Sequence, residues 1–169
     1  PVEALMYCLG DGRTVMHDSE VGELLGENQD RWENLVVRRA HQNPKHLIEE
    51  GNDPLRITVE HAHANGLLLY PMFIVQFGMS SHPERVSTFR LENRHLEIGA
   101  SEDIGPDCPG AEYLDFKYRE VRDERFALIE ETVDKYAVDG FQLNLGHYPY
   151  YLHPKEMEEG RKTMTEWVR

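Results

Sequence analysis

The chain has 169 residues, with 18 Lys and Arg against 31 Asp and Glu, a formal net charge of −13 at pH 7. That length suits one domain with a real core, and 40% hydrophobic with 29% charged residues reads as globular rather than disordered. The acidic balance argues against a nucleic-acid binder, which needs a basic patch to neutralise phosphates. The longest apolar run, Leu67 to Val75, contains Pro71 and is too short to span a bilayer.

Val2 to Leu9 is a short apolar run ended by the turn formers Gly10-Asp11-Gly12, a first strand. Arg13 to Gln29 is polar and irregular. Apolar residues then recur at helical spacing over Arg31 to Glu50, with Pro44 a kink and Gly51 a stop. Asp53-Pro54 supplies an N-cap followed by proline in the first helical turn, and Leu55, Val59, Ala62 and His63 share a face of the helix that Asn65-Gly66 ends. Leu67 to Phe77 is nearly continuous apolar sequence, the pattern of a strand covered on both faces.

Gly78 to Phe116 is too long for an ordinary connection, so it is functional or holds minor elements. Tyr118 to Tyr136 is the clearest helix. Its expected apolar side is Phe126, Ile129, Val133 and Tyr136, with the charge run from Glu120 to Asp134 facing solvent. Val138 to Leu145 is the third strand, with Gln142 and Asn144 opposite Phe141, Leu143 and Leu145. Gly146 to His153 is an aromatic loop, and Pro154 opens the last helix, still running at Arg169. The opening at Pro1 and the close within a helix lead us to expect a piece of a longer protein whose leader, if any, is lost. Composition assigns neither compartment nor oligomeric state. Cys8 and Cys108 lack the close spacing of a zinc site or a redox pair.

Three strands, each followed by a helical segment, match successive β/α units of a parallel sheet. Neither GxGxxG nor GxxxxGK[ST] occurs, so no nucleotide signature supports an open doubly wound sheet. The expected fold is α/β, consecutive β/α units of a TIM-type (β/α)8 barrel. Such barrels need at least roughly 200 residues, so residues 1–169 would form the N-terminal part of one truncated barrel domain.

In such barrels, chemistry sits at the carboxyl ends of strands. That rule selects Cys8, Asp11, Arg13 and His17 after the first strand, and Gln76, His82, Arg85 and Arg90 after the second. Asn93, Arg94, His95 and Glu97 follow in the long segment, and Gln142, Asn144, His147, Tyr148, Tyr150 and Tyr151 close the third unit. Asp11 is the strand-end carboxylate nominated for acid/base work. Gln76, Gln142 and Asn144 suit hydroxyl recognition; His147, Tyr148 and Tyr150 suit stacking on a sugar ring or packing of the loop; Arg94 and His95 suit an anionic substituent. The His61-x-His63 pair lies in the last turn of a helix, at the wrong end of its unit, and residues two apart on a helix diverge, so no metal site is assigned.

Two groups of motifs resemble glycosyl-hydrolase-like barrels. The first is Asn52-Asp53-Pro54-Leu55 with Val59-Glu60-x-Ala62-His63-x-x-Gly66-Leu67; the second is Arg119-Glu120-Val121-Arg122-Asp123 leading to Tyr136-x-Val138-Asp139-Gly140-Phe141. The resemblance runs from about Ala4 to Arg169, and its second half is the more specific. It implies a barrel acting on the glycosidic bonds of an oligo- or polysaccharide, with no cofactor. Relatives of this kind often carry acids after the D-G, where this chain has Gln142 and Asn144. Glycosidases usually need two carboxylates, and an amide is neither acid nor nucleophile. The expected function is a glycoside hydrolase whose carboxylate chemistry is completed by residues beyond the fragment. The alternatives are a non-catalytic carbohydrate-binding barrel and a metal-dependent barrel hydrolase.

Overall fold

The computed structural model describes residues 2–77, 81–100, 104, 108–146 and 149–169. Its centre is a five-stranded sheet built from β1 (Ala4–Asp11), β2 (Thr14–Val15), β3 (Glu23–Leu24), β4 (Leu68–Ile74) and β5 (Gln142–Asn144), in the order β3-β2-β1-β4-β5. Every pairing is parallel except β1 with β2. The sheet is open, with β3 and β5 as its edges. The architecture is mixed α/β, and no helix among the described residues is long and apolar enough to cross a membrane.

The turn after β1 depends on two glycines. Gly10 has φ +147°, and a Cβ there would fall 1.9 Å from the Thr14 carbonyl oxygen. It also lies where the β1–β4 register shifts, at a bulge following Cys8. Gly12, at φ +57°, admits the Arg125 guanidinium, whose Nη2 would lie 3.0 Å from a Cβ. The chain thus reverses tightly into β2, which the irregular polar sequence did not announce.

Helix α1 (Leu35–Glu49) is capped by Asn34, three residues inside the expected start at Arg31, and carries Pro44 within it. Helix α2 (Pro54–Ala64) begins as its sequence predicts, with the Asp53 carboxylate accepting from the Leu55 N–H. Asp53 accepts from the Asp18 N–H as well, tying the loop after β2 to the helix. Leu55, Val59 and Ala62 are buried, whereas His63 turns outward to Asp139.

The segment between β4 and the next long helix holds minor elements: a one-turn 3-10 helix at Pro83–Arg85, α3 (Thr88–Glu92) and 3-10 turns at Arg94–Leu96 and Ile98–Ala100. Helix α4 (Arg119–Lys135) buries Val121, Glu124, Arg125, Leu128 and Thr132. That stripe departs from the expected one in part: Tyr136 is buried and Ile129 packs against the core, but Phe126 is 50% and Val133 46% exposed. The charge run is correspondingly not wholly solvated. Glu124 and Arg125 pair with each other, and Arg125 Nε donates to the Val75 carbonyl at 2.9 Å. A buried charge is tolerated when paired and hydrogen-bonded, so the helix turns its long polar arms toward the end of β4.

The third strand is shorter than its sequence suggests, and before it Asp139 is bound to β4 through both its N–H, which donates to the Leu69 carbonyl at 3.0 Å, and its side chain. Its Oδ2 accepts from the Leu69 N–H at 2.7 Å and lies 2.9 Å from His63 Nε2. Those contacts hold the Asp139 carboxyl below its usual range, the Leu69 N–H contributing most. Regular pairing starts only at Gln142, opposite Met72. Helix α5 (Met157–Val168) closes the described chain.

The two faces of the sheet differ. Leu9, Leu69, Phe73 and Val75 join Leu55, Val59, Val121 and Leu128 in one hydrophobic core. On the opposite face, Met6 is paired in register with Tyr70, and Cys8 with Met72 and Gln142. Side chains in register on neighbouring strands point the same way. Met6 is 62% exposed, Gln142 is exposed, and Cys8, Tyr70 and Met72 are half-buried. Helix cover is heavy on one face and light on the other.

Candidate functional site

The carboxyl ends of the parallel strands meet in one row. Asp11 pairs with Ile74, and Ile74 with Asn144. At roughly 4.8 Å between neighbouring strands, the Asp11 and Asn144 backbones stand about 10 Å apart across Ile74. Beside Asp11 and Ile74 opens a cleft of about 400 Å³, floored by Cys8 and Gly10 and walled by Val36, Val37 and Ala40 of α1. His82, Glu84 and Arg85 from the turn after β4 close its other side.

Its polar groups are held tightly. Asp11 is buried and accepts two bonds from Arg85, one from Nε at 2.6 Å and one from Nη2. The Arg85 guanidinium also lies over the Phe77 ring, 4.0 Å from its centroid. His82 stands 6.3 Å from the same ring, and its Nδ1 is 3.5 Å from Glu84 Oε1. Pro83 starts this 3-10 turn, placing His82, Glu84 and Arg85 consecutively around the cleft. Burial, then the nearby Asp11, pushes the Cys8 thiol above its ordinary range, so it is a weak nucleophile here.

A second cleft, of about 670 Å³, adjoins the first. The two share Val37, His82 and Glu84, and the second continues to Gln29, Arg31, Trp32 and Asn34. Its walls are tied together: Asn28 Nδ2 donates to the Val86 carbonyl and Gln29 Nε2 to the Pro83 carbonyl.

The other residues selected from sequence lie elsewhere. Gln76 is fully enclosed, and its amide donates to the Leu114 and Tyr150 carbonyls at 2.7 and 2.9 Å. It braces two loops and lines neither cleft. Arg94 and His95 are exposed on their 3-10 turn, away from both clefts. Gln142 is exposed on the lightly covered face, and Asn144 is half-buried with Nδ2 3.8 Å from Met72 Sδ. Tyr150 lines a separate apolar cleft of about 780 Å³ between the loop after β5 and α5. His147 and Tyr148 lie outside the described residues.

His17, another candidate after the first strand, is buried on the core side against Tyr136, with ring centroids 5.8 Å apart. Neither of its ring nitrogens has a hydrogen-bond partner, and burial pushes its pKa down to about 4. Arg90 is likewise buried, bonded through Nε to Glu97. Among the described residues no group of three or more His, Cys, Asp and Glu is placed to hold a metal ion.

Two residues of the clefts escaped the reading from sequence. Glu84 stands in His82-Pro83-Glu84-Arg85, and a proline-started turn right after a buried strand was a usable signal. Trp32 gave none, because it reaches the clefts only through tertiary packing. The first cleft offers two carboxylates, one guanidinium and an imidazole beside an apolar wall, a set able to accept hydroxyl hydrogens and move a proton. No family model matches the chain, and no curated protein matches it.

Proposed function

We propose that the cleft at the carboxyl ends of β1 and β4 binds a saccharide, and that the chain is part of a glycoside-hydrolase-like (β/α)8 barrel. The observation that carries this reading is that Asp11 and Glu84 line one cleft at the strand ends, where barrel enzymes keep their chemistry. The lightly covered sheet face and the parallel edge at β5 support the barrel, since further strands would pair there and enclose that face.

Asp11, gripped by Arg85, serves as acceptor, base or nucleophile rather than proton donor. Glu84, the other carboxylate lining the cleft, is the candidate partner in the acid/base chemistry. Asn144 shares the row but lines neither cleft, so hydroxyl recognition falls to the groups of the cleft itself. The test is release of reducing ends from a panel of polysaccharides by the full-length protein. Asp11→Asn and Glu84→Gln should each lower the rate by roughly a hundredfold or more. Wild-type turnover untouched by both changes would refute the assignment.

One observation favours a second reading, a carbohydrate-binding barrel without hydrolysis. Arg85 occupies the Asp11 carboxylate from two nitrogens, as it would in a recognition site. Saccharide binding with no release of reducing ends would select it.

A further inference from the structure

Resting on the saccharide reading, we infer that the two adjoining clefts form one groove for an uncharged linear oligosaccharide of several units, with Trp32 as the stacking surface at its far end. Asp11 and Arg85 line only the first cleft, Trp32 only the second, and Val37, His82 and Glu84 line both. The shared residues are therefore the middle of a groove that runs from the strand ends to Trp32. Each volume falls in the range of roughly 300–1,000 Å³ for sites that hold one small molecule, so the groove exceeds what a single sugar needs.

Trp32 is fixed before any ligand arrives. Gly26 lies against its ring, where a Cβ would sit 2.4 Å from the benzo edge. The His41 ring lies at 5.2 Å and is anchored by an Nδ1 contact of 2.8 Å to the Leu25 carbonyl. A held aromatic ring gives contact area at little entropic cost. Asp11, Glu33 and Glu84 outnumber Arg31 and Arg85 along the groove, and the chain is acidic overall, so a polyanionic glycan is disfavoured.

The test is calorimetric titration of the full-length protein with linear β-1,4-linked glucan, xylan and chitin fragments, comparing disaccharide with pentasaccharide. The fragment that binds should gain about tenfold in affinity with length, the upper end of what one aromatic contact supplies. Trp32→Ala should bring the ratio of the two affinities near one, and Trp32→Phe should keep part of the gain. Val37→Phe, which narrows the junction, should abolish the gain without touching the Trp32 packing. A wild-type ratio near one overturns the groove and leaves the saccharide site standing. A length gain that survives both Trp32→Ala and Val37→Phe also overturns it. Failure of every fragment to bind overturns the saccharide reading and the groove together.

Discussion

The two faces of the sheet use similar residues to opposite ends. Under the helices, Glu124 and Arg125 form a buried pair that reaches the Val75 carbonyl. On the lightly covered face, Asp11 and Arg85 form a pair that borders a cleft. An acid–guanidinium pair enclosed by core restrains a helix, whereas the same chemistry beside a cleft presents oriented donors and acceptors to a ligand. Surroundings, not residue type, separate the two pairs here.

The largest effect expected is on the covered face. Arg125→Met should cost about 3–5 kcal/mol in urea denaturation, because it leaves Glu124 buried with only Arg13 at 3.6 Å. Ligand affinity, measured where the variant remains folded, should be unchanged. A cost below about 1 kcal/mol would show that Arg125 does not hold α4 to the sheet.

Next comes pH. The charges around His17 are Asp53 at the start of α2, Asp18 on its own loop, and Glu131 and Lys135 on α4, with the Tyr136 hydroxyl beyond. Burial outweighs the acids and lowers the folded pKa from 6.5 to about 4. The unfolded chain therefore takes up the proton first. Stability is complete above about pH 6.5 and falls as pH drops toward 4, by about 3 kcal/mol. His17→Phe should flatten that limb of the stability–pH curve; an unchanged limb would place the loss in other groups.

The smallest effect belongs to the open face. Met6→Gln should change stability by about 0.5 kcal/mol or less in this chain, since Met6 is 62% exposed. A cost of about 2 kcal/mol or more would mean that this face is covered.

Much of the scaffold was legible because local chemistry decides it. Asp53-Pro54 marked the start of α2, and the apolar run from Leu67 marked β4. Helix α4 was legible as a helix but only partly by its face: Ile129 and Tyr136 meet the core as expected, while two charged residues that satisfy each other also lie on the buried stripe. Strands β2 and β3, two residues each, leave no periodicity to read. Within the site, Asp11 was legible from the turn after a strand. Gln76 read as a polar strand end facing a mouth, yet its amide is used by two carbonyls that only the folded loops bring near. Glu84 and Trp32 join Asp11 across 72 and 20 intervening positions through packing, which no local pattern encodes.

The central claim is that a saccharide seats at the Asp11–Arg85 end of the sheet. Amide hydrogen exchange of the full-length protein, with and without a bound oligosaccharide, measures this most directly. The account predicts protection at the end of β1, across Pro83–Arg85 and around Trp32. Protection confined to the Tyr150–α5 cleft, with those segments unaffected, would contradict it.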